Sequence, residues 1–230
     1  MSGPPTPIAP GSVLQVVNVG DEVPNFNGKT QKGSLSFHEY ITGSWVILLS
    51  YPGNYTPVCT TEVGMLAKLI KEFEGRRCKV IGVSADSVAN HIGWIKDVNE
   101  TQGTDVVFPI VADENGKICK IFGFSRPSDL AEDAELLIGR SVIIIDPQRK
   151  VQLRMDYPPY VGRNFFEIIR ALDAMQLSLY NKIATPANWK VGEDVMILPS
   201  VNNQMASELF PKGFTEIKPY LRITPQPDMD

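Results

Sequence analysis

This chain is short of the residues that build metal and dithiol centres. Among its 230 residues it has three cysteines and two histidines, and their spacing matches no zinc-ligand pattern. Glu62, not a second cysteine, stands three residues after Cys59, so that position cannot be half of a Cys-x-x-Cys exchanger. The net charge is only −4 and no block of like charge occurs, which gives nucleic-acid or membrane-surface binding no compositional support. No apolar run approaches the length of a membrane span. The first residues lack both a basic n-region and an apolar h-region, so no secretory signal is read there. The absence of Arg in the same stretch argues against an organellar presequence. Few cysteines in a chain of this size fit a reducing compartment, and a cytoplasmic location is expected. The sequon Asn54-Tyr55-Thr56 points the same way, because a glycan there would block the cysteine that follows.

What is present is an ordinary globular alternation. Residues 1–12 are rich in Pro and Gly and read as a flexible tail. Residues 13–183 read as one catalytic-sized domain, and 184–230 as an extension punctuated by prolines that packs on another surface such as a partner subunit. Ser34–His38 reads as a short strand or turn. Trp45–Ser50 is an unbroken apolar run, the pattern of a strand buried on both faces. Residues 60–74 read as one helix with Val63, Leu66, Ile70 and Phe73 on its inner face. Val80–Ser84 is the next strand. Ser87 caps a helix whose apolar residues are Val88, Ile92 and Ile95, which places His91 on its surface. Val106–Ala112 is a strand that Pro109 assigns to an edge or a kink. Lys117–Phe122 is a short helix, Ser141–Asp146 and Val151–Met155 are paired strands, and Gly162–Tyr180 is a long helix with Phe165, Ile168, Leu172, Met175 and Leu179 on one stripe. This order implies an α/β sandwich around a mixed sheet.

The stretch that carries chemistry is Tyr51-Pro52-Gly53-Asn54-Tyr55-Thr56-Pro57-Val58-Cys59-Thr60-Thr61-Glu62. It sets a cysteine in the first turn of a helix, where the macrodipole and unpaired N–H groups favour an anion. An ordinary thiol has a pKa near ~8.5, so full ionisation raises the thiolate population by no more than roughly 30-fold. Nucleophilicity falls as the pKa falls, which cancels part of that gain. A fast peroxide-reducing thiol therefore also needs donors aimed at the oxygen that leaves. Thr56 has a hydroxyl able to accept from a peroxide O–H and to donate to sulfur or oxygen. Pro52 has no N–H and a rigid ring suited to shielding sulfur from water. Arg140 can bring a charged donor fork, and Glu62 can orient it.

Pro52-x-x-x-Thr56-x-x-Cys59 resembles the active-site signature of the peroxiredoxins. Thr60-Thr61-Glu62, Asp86-Ser87-Val88 with Trp94, Gly162-Arg163-Asn164-Phe165, Ala184-Thr185-Pro186-x-x-Trp189 and Leu198-Pro199 resemble the one-cysteine subfamily. The likeness runs from about Gly20 to Pro227. It implies a thioredoxin-like sandwich, with a central mixed β-sheet flanked by helices and a small β-rich C-terminal extension, in a homodimer. It implies reduction of hydrogen peroxide and organic hydroperoxides for antioxidant defence, with no metal or prosthetic group. Cys59 would become sulfenic acid and be recycled by an external thiol, glutathione or a thioredoxin-type protein. Cys59, Thr56, Pro52 and Arg140 match the family's catalytic positions, and Glu62 and Arg163 its supporting ion pair. One departure is Tyr51, where close relatives have His; a hydrogen-bonding role is open to it.

Each of these residues also has a plainer reading. A lone cysteine at a strand-to-helix junction is usually a small buried apolar residue, Thr56 alone would be a turn or cap residue, and Arg140 alone a surface or salt-bridge Arg. Pro52, Thr56 and the longer likeness reverse the first of these. Cys78 and Cys119 read as structural, the alternative being that one resolves the sulfenic acid. Some relatives are also similar to phospholipases; His38 and Ser44 match two positions of that machinery, but Thr42-Gly43-Ser44-Trp45-Val46 lacks the glycines of a nucleophile elbow and Gln148 stands where an Asp is needed, with Asp146 two residues before it. A non-enzymatic holdase or redox-signalling module is the remaining rival.

Overall fold

The computed structural model describes residues 16–126 and 137–228. The expected 1–12 tail lies outside the described residues. The chain divides into two compact units, Met1–Arg163 and Asn164–Asp230. The long helix therefore belongs to the same unit as the C-terminal strands, whereas the change of sequence texture comes at residue 184.

The first unit runs β1 (Asn27–Thr30), β2 (Gly33–Ser36), α1 (Phe37–Ile41), β3 (Trp45–Ser50), α2 (Pro57–Lys68), α3 (Ile70–Gly75), β4 (Cys78–Ser84), α4 (Val88–Gln102), β5 (Ile110–Ala112), α5 (Lys117–Ile121), β6 (Ser125–Arg126), β7 (Leu137–Ile138), β8 (Arg140–Ile145) and β9 (Val151–Tyr157). Seven of these strands form one mixed sheet in the order β2-β1-β5-β4-β3-β8-β9. β3, β4 and β5 are parallel; β8 runs against β3, and β9 runs against β8 and so points the same way as β3. All six residues of β3 and all six of β8 are buried, as expected for strands covered on both faces. Val46, Leu48, Ile81, Val83, Ile143 and Ile145 share one core with Phe26, Phe37, Phe122 and Phe124. Alternation along a strand sends Ile47, Leu49 and Val142 to the opposite face.

Several sequence readings shift. Ser34–Ser36 is strand, but the chain turns into α1 at Phe37. The expected 60–74 helix starts at Pro57 and breaks at Leu69, whose N–H is shared between the Met65 and Leu66 carbonyls as the last turn tightens. The inner face of α4 is His91, Trp94 and Val98, while Ile92 is exposed. The buried face lies one residue out of phase with the apolar pattern because a histidine occupies an inner position. Pro109 does not mark an edge: β5 begins just after it and lies between β1 and β4, the side chain of Gln31 bonding the Phe108 carbonyl and the Ile110 N–H around it.

In the second unit, α6 (Phe165–Asn181) starts at Asn164, whose side chain accepts from the Phe166 and Glu167 N–H groups. Phe165, Ile168 and Leu172 are buried as expected, Met175 is half-buried, and Leu179 is exposed. β10 (Ile183–Ala184), β11 (Val195–Ile197), α7 (Asn203–Leu209), β12 (Thr215–Lys218) and β13 (Leu221–Thr224) follow, with a four-stranded antiparallel sheet ordered β10-β11-β13-β12. Leu177, Ile183, Trp189, Val195, Ile197 and Phe210 make its core.

Helices α2 and α4 meet at Gly64, where an added Cβ would lie 2.7 Å from the Gln102 Cβ. Overpacking there costs about 1–3 kcal/mol, against a gain of roughly 1 kcal/mol in helix propensity. Gly64→Ala is expected to lower the urea unfolding midpoint; a raised midpoint would show that the helices do not approach closely here.

Candidate active site

The sheet register explains how distant residues converge. β3 and β8 pair antiparallel, with Leu49 opposite Val142, so Arg140 at the start of β8 reaches the end of β3, where the chain leaves for Cys59. Cys59 is the third residue of α2, Pro57 being the first, and it is wholly buried. Glu62 follows at i+3, on the same side of the helix.

The guanidinium of Arg140 is also buried. Its Nη1 donates to Cys59 Sγ at 3.2 Å and to Glu62 Oε2 at 2.7 Å, while Nε donates to the Pro159 carbonyl at 2.7 Å. Arg163 approaches the same carboxylate in bidentate fashion: Nε donates to Glu62 Oε1 at 2.9 Å and Nη2 to Oε2 at 2.7 Å, with its backbone N–H on Oε1 at 2.8 Å. Its Nη1 donates to the carbonyls of Ser50 and Ser141. Two guanidiniums and one carboxylate leave the cluster one positive charge in excess, with the sulfur beside it. A thiolate there would neutralise the group, which is the condition for stable buried charge.

The other expected residues are placed less uniformly. Thr56 is the N-cap of α2, but its hydroxyl does not cap; it donates to the Gly53 carbonyl at 3.0 Å. Its proton is thus committed within the loop, contrary to the expected donation to sulfur, and its lone pairs remain to accept. Pro52 is half-buried and opens that loop. Tyr51 is wholly buried, donates to Asn54 Oδ1 at 3.0 Å and packs at a tilt on Trp94. Burial pushes its phenol well above the usual range, so it stays protonated.

Residues to which the sequence gives no catalytic role complete the surroundings. The Asn54 N–H donates to Asp86 Oδ2, which also accepts from Ser84 Oγ, and the Asn54 amide meets His91 Nδ1 at 3.0 Å. His91 is wholly buried, a correction to the surface position expected from α4. The Trp94 indole donates to Thr60 Oγ1, and that hydroxyl to the Thr56 carbonyl. The i, i+3, i+7 spacing of His91, Trp94 and Val98 was the available signal, obscured because His is polar.

Burial raises the thiols of Cys78 and Cys119 far above the ordinary value, so both are inert at neutral pH. His38 bonds the Val23 carbonyl and lies 3.4 Å from Arg149 Nη1, while Asp146 accepts from the Gln148 and Lys150 N–H groups and Gln152. Neither ring nitrogen of His38 bonds Ser44 or Asp146, so no hydrolase relay is assembled. Among the described residues no cluster of three or more His, Cys, Asp or Glu side chains suits a metal, and no helix is long and apolar enough to cross a membrane.

The AhpC/TSA family profile matches residues 19–154, and the profile of the C-terminal domain of 1-Cys peroxiredoxin matches residues 174–213. The chain belongs to the one-cysteine peroxiredoxins. It is 44% identical to Peroxiredoxin-6 of Gallus gallus, covering 91% of this chain and 98% of that one. The 1-Cys peroxiredoxin of Dictyostelium discoideum is 43% identical, over 92% of this chain and 86% of its own. Among solved structures, a Cys-to-Ser variant of Peroxiredoxin 6 from Arenicola marina superposes with a TM-score of 0.85 at 38% identity, covering 92% of this chain and 99% of that one. This peroxiredoxin is accordingly a thiol-dependent peroxidase, with the thioredoxin-like fold of its relatives.

The Glu62 carboxylate is the hinge of the charged cluster. In Glu62→Gln two buried guanidiniums lose their counterion, and breaking a buried pair costs about 3–5 kcal/mol. Chemical denaturation should show a loss of that size; a change within experimental error would mean the cluster contributes nothing net to folding.

Proposed function

We propose that Cys59 is the peroxidatic nucleophile, with Arg140 and Thr56 acting directly on the peroxide and Glu62 and Arg163 holding Arg140. The observation that supports this most is the Arg140 Nη1 donor 3.2 Å from the sulfur. Cys59 enters as thiolate and attacks one oxygen of the hydroperoxide. The S–O bond forms as the O–O bond breaks; the departing oxygen takes a proton and leaves as water or an alcohol, and Cys59 becomes sulfenic acid. Charge grows on the departing oxygen, so fixed donors lower the barrier. Arg140 supplies one, and the N–H groups of Val58 and Cys59, which Thr56 leaves uncapped, supply others. Thr56 accepts the peroxide O–H and orients it.

Sulfenic acid at Cys59 has no reactive internal partner, since Cys78 and Cys119 remain buried thiols. An external thiol attacks the sulfenic sulfur, water leaves, and a second thiol releases Cys59 from the mixed disulfide. The solved yeast mitochondrial 1-Cys peroxiredoxin is described as resolving its thiol via glutathione/thioredoxin systems; it is 39% identical, covers 91% of this chain and 100% of its own, and superposes with a TM-score of 0.83. We assign the same class of reductant here. A homodimer is proposed; β9 ends the seven-stranded sheet, its first residue Val151 being covered by Gly20 and Asp21 and the later part of the strand offering an edge to a second copy. The cytoplasm is the proposed compartment, on the scarcity of cysteine.

Intact mass after stoichiometric peroxide, with a stopped-flow rate, tests the assignment. The wild type should gain one oxygen on Cys59, and excess peroxide a second as sulfinic acid. Cys59→Ser should gain none and lose peroxidase activity. Arg140→Ala should slow oxidation by about 10²–10³, the usual loss for one such donor. Ser44→Ala should be as fast as wild type. An intramolecular disulfide as the first stable product would overturn the one-cysteine cycle.

A further inference from the structure

The loop from Tyr51 to Thr56 aims the hydroxyl used on the peroxide, and it is held by bonds within itself and by bonds to residues beneath it. Tyr55 sits in the left-handed region at φ 55°, unusual for a bulky side chain. What holds the loop is a one-way chain of hydrogen bonds beneath it. The buried Tyr51 phenol donates to Asn54 Oδ1. The Asn54 amide nitrogen then faces His91 Nδ1 at 3.0 Å, and since that nitrogen only donates, the ring nitrogen must accept. The Asn54 backbone N–H is fixed separately on Asp86. The residue before it is Gly53, whose carbonyl takes the Thr56 hydroxyl.

We propose that His91 and Asn54 are positioning residues of the peroxidase site, a neutral imidazole on α4 holding the Asn54 amide and through it the backbone that aims Thr56. The inference rests on the peroxidase reading above. A proton on Nδ1 would set donor against donor. Turning the amide over would in turn set its NH₂ against the Tyr51 hydroxyl and send the phenol proton to the Ser84 side chain, so the Asn54–Tyr51 bond that shapes the loop would be remade. The chain therefore works in one protonation state.

The surroundings favour that state. His91 is wholly buried, and burial holds its imidazole below the ordinary range. Asp86, in the turn after β4, and Glu114, after β5, both favour the cation, and burial outweighs them. The Val111 carbonyl also favours the cation as a hydrogen-bond acceptor for the ring, at a geometry too loose to make a full bond to Nε2. Because the folded form resists the proton and the unfolded form takes it near pH ~6.5, falling pH also costs stability through this residue. A structural role alone would end there; a positioning role also changes the rate of the folded enzyme.

The test is the stopped-flow rate constant for Cys59 oxidation by hydrogen peroxide, between about pH 5 and 8. Thiolate absorbance in the ultraviolet gives the ionised fraction at each pH. Dividing the rate by that fraction removes the titration of the sulfur itself. For the wild type the rate per thiolate is expected to fall by about fivefold to tenfold at the acid end, the worth of one hydrogen bond in the chain. His91→Asn offers an acceptor near the Nδ1 position and cannot take up a proton, so its rate per thiolate should be lower by a constant factor and flat with pH. His91→Leu should be slow and flat. If His91→Asn keeps the wild-type acid fall, or the wild type shows none, the proposal is overturned, whether or not His91→Leu folds. A wild type without any fast peroxide step would instead overturn the peroxidase reading itself.

Discussion

One carboxylate organises this active site. Glu62 is buried between two guanidiniums, and its bonds tie together the first turns of α2, the start of β8 and the segment that follows β9. Through Arg163 the cluster also reaches the carbonyls that end β3 and begin β8. Buried ions are costly unless every lone pair and every N–H has a partner, and the fork geometry of Arg meets that demand here on a planar carboxylate. The residual positive charge falls where the sulfur lies. Folding and the proposed nucleophile thus draw on the same group: the excess positive charge of the cluster lies beside the Cys59 sulfur.

The start of α2 follows a similar economy. Pro57 brings no N–H, and the Thr56 hydroxyl is diverted to Gly53, so the next N–H groups are not consumed by a cap. A helix N-terminus normally satisfies those donors from its own chain. Leaving them open gives up local stability for a site able to receive developing negative charge. The loop that precedes the helix holds an unusual backbone at Tyr55, and bonds to α4 and to the turn after β4 add to the two it makes within itself.

Much of the fold could be read from local pattern. The unbroken apolar runs became β3, β4 and β8 because strands covered on both faces have no polar side to alternate with. The helices are legible from their period, except where a polar residue carries an inward position. The polarity of its ring argues for an outward His91, although Trp94 and Val98 share its face. The break at Leu69 left no mark in composition, since neither Pro nor Gly causes it.

The sequence by itself determined the near-range chemistry: a cysteine in the first turn after a buried strand, a glutamate one turn on, and Pro52 and Thr56 before it. These relations span a few residues, so backbone geometry alone sets them. Tertiary structure decided which distant groups meet that cysteine. Arg140 is 81 residues away, Arg163 is 101 residues from Glu62, and His91 is 37 from Asn54. A single polar residue leaves no periodic trace of its partner; only the antiparallel register of β3 with β8, and the phase of α4, bring them together.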